Sequence, residues 1–259
     1  MALSAPEQDR SISQFKQQIQ LLTRLCYLSS NNPSEELSRR RAVLSDMARL
    51  LAYLVSLLVM SGLPAAEVPL EPGNFEHIHF RRIQPTNITF NDDSIRIAVN
   101  DSSSFLLLPF DPIKTVRTVT FDWKVDGRLK KRSIEHEKSS KGDDAWIRVG
   151  LIVSGQPEYV PKAFLPRWVN LVRKTLKHPS DRMIYLVPDA KHPSGESWTS
   201  PFSTSIEMIS VDSRTLDDDW KQAHHAFVQP LQVVGLWIMA DGDNTNSAFN
   251  TELRRLIIE

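Results

Sequence analysis

The sequence predicts a mainly β protein, an antiparallel β-sandwich or jelly roll with one amphipathic helix, and three observations lead there. Beyond residue 67 the chain runs in short alternating or apolar stretches, separated by turn residues at roughly 8–12-residue spacing. The stretch Thr115–Val125 sets Val119, Phe121, Trp123 and Val125 on one side and Thr118, Thr120, Asp122 and Lys124 on the other. That is the alternation of a strand with one face in a core and one in water. A single segment, Lys162–Lys177, abandons period two for helical spacing, with Phe164, Leu165, Trp168, Leu171, Val172 and Leu176 as its apolar residues. Many short strands with one helix pack as two facing layers.

From the N-terminus, residues 11–30 place Ile12, Phe15, Ile19, Leu22 and Cys26 on one helical stripe. Residues 1–46 therefore read as an upstream helical segment, or as translation from a start placed too early. At Met47 the chain reads like a second start. Arg49 is followed by an apolar run, Leu50–Met60, and then by small residues through Ala65 and Ala66. Charged, apolar, then small is the order of a secretory signal, and Leu63 and Ala65 take its −3 and −1 positions. Two other readings stay open. The 17 residues from Leu50 to Ala66 approach the length of an uncleaved anchor, which needs about 20. Arg39, Arg40, Arg41 and Arg49 would then hold the N-terminus in the cytoplasm. A buried helix also fits, because only Tyr53 and Ser56 interrupt the run. The expected organisation is a segment 1–46, a signal peptide or anchor 47–66, and a β-sandwich domain 67–259. That domain is expected in the periplasm or secreted, or held outside the inner membrane by the anchor. Membrane contact is expected only through 47–66, if uncleaved.

The expected strands are Phe75–Ile83, Asn87–Phe90, Ser94–Val99, Phe105–Pro109, Thr115–Val125, Ala145–Val153, Met183–Val187, Ser203–Val211, Asp219–Phe227, Gln232–Met239 and Glu252–Ile258. Asn91-Asp92-Asp93, Asn100-Asp101, Asp126-Gly127 and Asp241-Gly242 supply turns between strands. Val233–Ala240 is apolar on both faces and should be central. In the helix, Pro166 is tolerated in the first turn and His178-Pro179 ends the run.

Lys and Arg together number 31, as do Asp and Glu, and after residue 49 the balance is −2, so nothing marks a nucleic-acid partner. Cys26 is the only cysteine, which leaves residues 67–259 without disulfides, thiolate zinc sites or a cysteine nucleophile. There is no G-x-S-x-G elbow, Ser103 and Ser104 have no recognisable base, and nine glycines in all leave no phosphate-cradling loop. About 190 residues suffice for one domain with a full core.

Four ordered segments resemble a bacterial family known as DUF3047: FDWKVDG (Phe121–Gly127), KGDDAWIRVGLIV (Lys141–Val153), IYLVP (Ile184–Pro188) and VVGLWIMADGDNTNSAF (Val233–Phe249). The family pattern runs W-x-W-K-V, G-D-D-x-x-x-R-[VI], then a hydrophobic strand ending D-x-D-N-T. Here Phe121 stands where a Trp is common, and Lys221–Pro230 lacks an acidic, Gly-containing stretch. The resemblance spans roughly residues 75–258 and implies a secreted or periplasmic β-sandwich, with no activity attached. Its architecture would be galactose-binding-like or concanavalin-like.

Candidate chemistry gathers in two segments. On a regular strand Asp144, Trp146 and Arg148 share one side, while Ala145, Ile147, Val149, Leu151 and Val153 form the core side. Trp146 beside Arg148 then offers a stacking platform next to a fork of N–H donors, a ligand-binding surface suited to a glycan or envelope polymer. The structural alternative covers Trp146 with the helix and pairs Arg148 with an acid. In ADGDNT, Asp241, Asp243 and Asn244, with Asp143 from another loop, supply oxygens for Ca²⁺. The alternative is a turn whose side chains bond their own backbone. His77 and His79 share one side of a strand but lack a third metal ligand, and His224 and His225 fall on opposite sides. Asp144 with Asp243 is the one pair to nominate for glycoside hydrolysis. The expected function is therefore non-enzymatic binding of a glycan or envelope component, with no cofactor apart from Ca²⁺. The alternatives are an Asp-pair hydrolase and a purely structural envelope protein.

Overall fold

The structure, a computed structural model, describes residues 66–259; the expected segments 1–46 and 47–66, save Ala66, lie outside the described residues. Twelve strands join in one sheet: β1 (Ala66–Glu67), β2 (Glu76–His79), β3 (Asn87–Phe90), β4 (Ser94–Asn100), β5 (Ser103–Arg128), β6 (Ala145–Ser154), β7 (Ser180–Pro188), β8 (Ser197–Ser200), β9 (Ser203–Val211), β10 (Ser213–Thr215), β11 (Lys221–Asp241) and β12 (Ala248–Ile258). The helices are α1 (Ile134–Glu137) and α2 (Arg167–Thr175). The order across the sheet is β3-β4-β12-β5-β11-β6-β7-β9-β8, with β1 on β12, β10 on β11 and β2 on β5. Every pairing is antiparallel except β7 with β9.

Two expected pairs of strands are single long ones. Phe105–Pro109 and Thr115–Val125 both belong to the 26-residue β5, and Asp219–Phe227 and Gln232–Met239 overlap the 21-residue β11. These strands contain Pro109, Pro112 and Pro230, which give no ladder N–H. The ladder accommodates the bend with register shifts between Ala226 and Leu231 and between Val233 and Gly235. Bulges of this kind bend a strand without ending it. Each long strand thereby serves both layers. The first part of β5 lies beside β2 and its last part beside β12, and β11 passes from β10 to β6.

One core lies between the layers and includes Val119, Phe121, Trp123, Ile147, Leu151, Leu186, Leu236 and Leu253. A second covers the other face of β5, β11, β6 and β7, where Phe105 stacks on Trp237 at 3.3 Å between centroids and α2 with its C-cap adds Trp168, Val172 and Leu176. Residues 233–240 are thus buried on both faces, as their unbroken apolar run predicts. The helix is shorter than its pattern. Pro166 is the N-cap, with extended backbone, rather than a first-turn residue, and a 3₁₀ turn at Lys162–Phe164 precedes it. Strand β8 escaped sequence reading because SWTS holds only one apolar residue, Trp198.

Candidate functional site

The two segments that carry the expected chemistry meet at one end of the paired strands β6 and β11. Arg148 is 4% exposed. Its Nη1 donates to Asp241 Oδ2 at 3.0 Å, and its Nη2 donates to the Asp143 carbonyl at 2.5 Å and lies 3.3 Å from Asp143 Oδ1. The Ala145 N–H donates to Asp241 Oδ1 at 3.0 Å, so both oxygens of that carboxylate are engaged. Beneath the guanidinium lies the Tyr185 ring, 5.6 Å from its central carbon. Gly150 permits this packing, because a Cβ there would meet Tyr185 ring carbons at 2.8 and 2.9 Å.

Asp144 anchors the loop after β11. Its Oδ1 accepts from the Asn244 N–H at 3.2 Å and from Asn244 Nδ2 at 3.0 Å, and its Oδ2 accepts from the Thr245 N–H at 2.7 Å. This differs from the expected self-bonded turn: the carboxylate comes from the residue just before β6, 100 residues away in sequence.

The expectation that Asp144, Trp146 and Arg148 share one side is corrected. Pairing of Met239 with Arg148 and of Asp241 with Ala145 sets three steps of β6 against two of β11, a bulge. Past it, Arg148 and Ala145 lie on the Tyr185 side, while Trp146 joins the inter-layer core edge-on to Phe249 at 4.9 Å. Trp146 and Arg148 therefore make no common ligand surface. Arg148 pairs with acids, as the structural alternative has it, and Trp146 is covered from β12 rather than by the helix. Asp143 and Asp144 both lie ahead of Ala145, where β6 begins, and both are buried in this cluster.

One carboxylate oxygen from each of Asp144, Asp241 and Asp243 lies within 4.8 Å of the others. Asp144 thus joins Asp241 and Asp243 of the expected calcium group, whereas Asp143 turns to Arg148 and Asn244 presents its NH₂ to Asp144. A cation entering would compete with Arg148 and with the loop N–H groups. Asp144 and Asp243, the pair nominated for hydrolysis, are thus neighbours, as a retaining or inverting glycosidase pair would have to be. Asp144, however, is 1% exposed with both oxygens holding the loop, the position of an anchor rather than a nucleophile.

Burial sets the electrostatics. It pushes Asp143 up to about 6, against the pull of Arg148, with Asp144 adding to the rise. It pushes Asp241 up as well, again opposed by Arg148, and raises Asp243 with help from Asp144. Burial alone would lower Arg148; Asp143 and Asp241 reverse that and hold it above its ordinary range. A carboxyl raised on folding binds more protons in the native than in the unfolded chain, so its contribution to stability falls as pH rises. For Asp143 the window runs from about 3.8 to about 6. His77 and His225, held low chiefly by burial, act in the opposite sense. The expected result is read by difference: unfolding free energy measured by urea at pH 4 to 7 declines less steeply in Asp143→Asn than in the parent. Parallel profiles would show that Asp143 does not titrate in this window.

His77 and His79 stand edge-on at 4.4 Å. The expectation that Ser104 has no base is corrected, since His77 Nε2 lies 2.8 Å from Ser104 Oγ. That oxygen also accepts from the Thr86 N–H at 3.1 Å and contacts Thr86 Oγ1 at 2.5 Å, and Ser104 is 1% exposed, so the pair ties β2 and the segment before β3 to β5.

A groove of about 340 Å³ opens elsewhere, over β7, β8 and β9, lined by Arg182, Met183, Ser197, Trp198, Thr199, Thr204, Ser205, Ile206 and Glu207. Strand pairing puts Thr199 opposite Glu207 and Trp198 opposite Met208. Trp198 is stacked on His192 at 3.9 Å, and His192 in turn sits between Glu196 (3.1 Å) and Glu137 (3.8 Å). Glu137 is itself buried, paired with Lys131 and accepting the Lys191 N–H at 2.8 Å. Sequence reading missed this groove. Its signal was the density of hydroxyl residues around one Trp in SWTSPFSTS (Ser197–Ser205).

A family model described as "Protein of unknown function (DUF3047)" matches residues 74–257. Among solved structures the chain is similar to the family 11 xylanase from Neocallimastix patriciarum, at 11% identity over 77% of this chain and 96% of that one, with a TM-score of 0.32. No curated protein matches.

Proposed function

The chain belongs to the DUF3047 family, and we propose that it acts as an exported, non-enzymatic binding domain for a glycan or cell-envelope polymer, held in the groove over β7, β8 and β9. The observation that carries this reading is the lining. Ser197, Thr199, Thr204 and Ser205 offer four hydroxyls, Arg182 a fork of donors and Glu207 an acceptor, around Trp198, Met183 and Ile206. Sugars present this mixture in reverse, hydroxyl rims around apolar ring faces, and the charged groups strengthen the hydrogen bonds they make. Export is supported by the leader-like stretch from Met47 to Ala66. Among the described residues no helix is long and apolar enough to cross a membrane.

Affinity electrophoresis of the chain through gels loaded with different polysaccharides tests the reading. At least one polysaccharide should retard the parent. Arg182→Ala should weaken that retardation by about tenfold or more, the loss of one charge-assisted hydrogen bond. Trp146→Ala, in the inter-layer core, should bind like the parent. If no polysaccharide retards the chain, or if Arg182→Ala is retarded equally, the groove is not a glycan site.

A further inference from the structure

The connection between β6 and β7 carries a feature that neither the acid cluster nor the groove uses. From Tyr159 to Ser180 the chain has Lys162, Arg167, Arg173, Lys174 and Lys177 and no acid, within a sequence of zero net charge. On α2 and its C-cap, Trp168, Val172 and Leu176, spaced four apart, face the sheet. Arg167, Arg173, Lys174 and Lys177 are exposed, and none makes an ion pair among the described residues. Beside them stand large apolar side chains in water: Tyr159 at 87% exposure, Phe164 at 79% and Leu171 at 40%. The turn bearing Phe164 is tied to the helix, since the Asn170 N–H donates to the Pro166 carbonyl at 3.2 Å and Asn170 Nδ2 to the Leu165 carbonyl at 3.3 Å.

Exposed aromatics flanked by unpaired cations match one kind of partner. Tyr and Phe gain by leaving water at a bilayer boundary, while Lys and Arg lie level with anionic headgroups. A protein partner would have to supply both an apolar socket and an acidic rim, whereas an anionic bilayer offers both across its whole surface. We propose that the segment from Tyr159 to Lys177 docks on an anionic lipid bilayer, with Tyr159 and Phe164 dipping into the interface and Arg167, Arg173, Lys174 and Lys177 contacting phosphate headgroups. This contact is independent of the stretch 47–66 and of the groove.

Co-sedimentation of the full chain with vesicles tests it, one set of phosphatidylcholine and one with about a third phosphatidylglycerol. Because the apolar run at Leu50–Met60 is present throughout, the result is the difference between variants. Arg173→Gln/Lys174→Gln should lower partitioning onto anionic vesicles by about 25-fold, roughly fivefold per cation. Tyr159→Ser/Phe164→Ser should lower it by about tenfold or more. All four side chains are exposed, so both double variants should melt with the parent. Parent-like partitioning by either double variant overturns the proposal. So does polyphosphate binding as tight as vesicle binding and insensitive to Tyr159→Ser/Phe164→Ser, which would make the patch a site for soluble polyanions.

Discussion

Arg148→Met is expected to cost about 3–5 kcal/mol of unfolding free energy at pH 7.5, the usual consequence of removing one partner from a buried ion pair. The guanidinium serves two carboxylates at once, Asp241 at 3.0 Å and Asp143 at 3.3 Å, and the backbone carbonyl of Asp143 as well. Methionine fills much of the volume but leaves both acids in a dry site without a counter-charge. The loss should shrink at pH 5, where buried carboxyls already shifted upward take up protons and no longer need Arg148. Arg148→Met/Asp241→Asn should recover part of the loss, because one of the stranded charges has gone. Urea unfolding of the parent, both single variants and the double variant at the two pH values measures all of this. A cost below about 1 kcal/mol, the range of an exposed pair, would show that the cluster is hydrated and its charges screened.

The second large effect is local. Asp144→Ala should destabilise the protein by about 2–4 kcal/mol, because three N–H donors from Asn244 and Thr245 lose a charged acceptor. Asp144→Asn keeps one carbonyl oxygen and should lose about half as much. The signature is spatial. Amide exchange at Asn244 and Thr245 should accelerate most, while Phe121 and Trp123 in the inter-layer core stay protected. Unchanged exchange at Thr245 would mean that the loop is held by its other contacts, the Ser247 N–H to the Gly242 carbonyl and the Gly242 N–H to the Ser102 carbonyl.

Two motifs of the family resemblance, GDDAWIR and DGDNT, meet here. The acid of one caps the loop of the other, and the arginine of the first pairs with Asp241, which opens the second. A hydrolase reading of Asp144 with Asp243 survives as a distance alone, since the anchoring role occupies the oxygens that chemistry would need. The binding we propose is therefore placed in the groove and on the basic aromatic segment, where Arg182, Thr199, Arg173 and Lys174 face water.

Period and composition were enough for the mainly β class, the strands Asn87–Phe90 and Ser203–Val211, the presence of the amphipathic helix and the central position of Val233–Ala240, but not for the four-residue helix Ile134–Glu137. Alternation and helical spacing report burial directly, and burial is what the chain pattern encodes. Side-chain partnership is another matter. Which face Trp146 takes was decided by a bulge opposite Met239–Asp241, and a one-residue slip in register reverses every side chain beyond it. Asp144 found its loop, His77 its serine and Arg182 its groove through contacts between residues distant in the chain. Those contacts depend on how β5 and β11 bend to serve both layers, and no local pattern records where a bent strand will bring its neighbours.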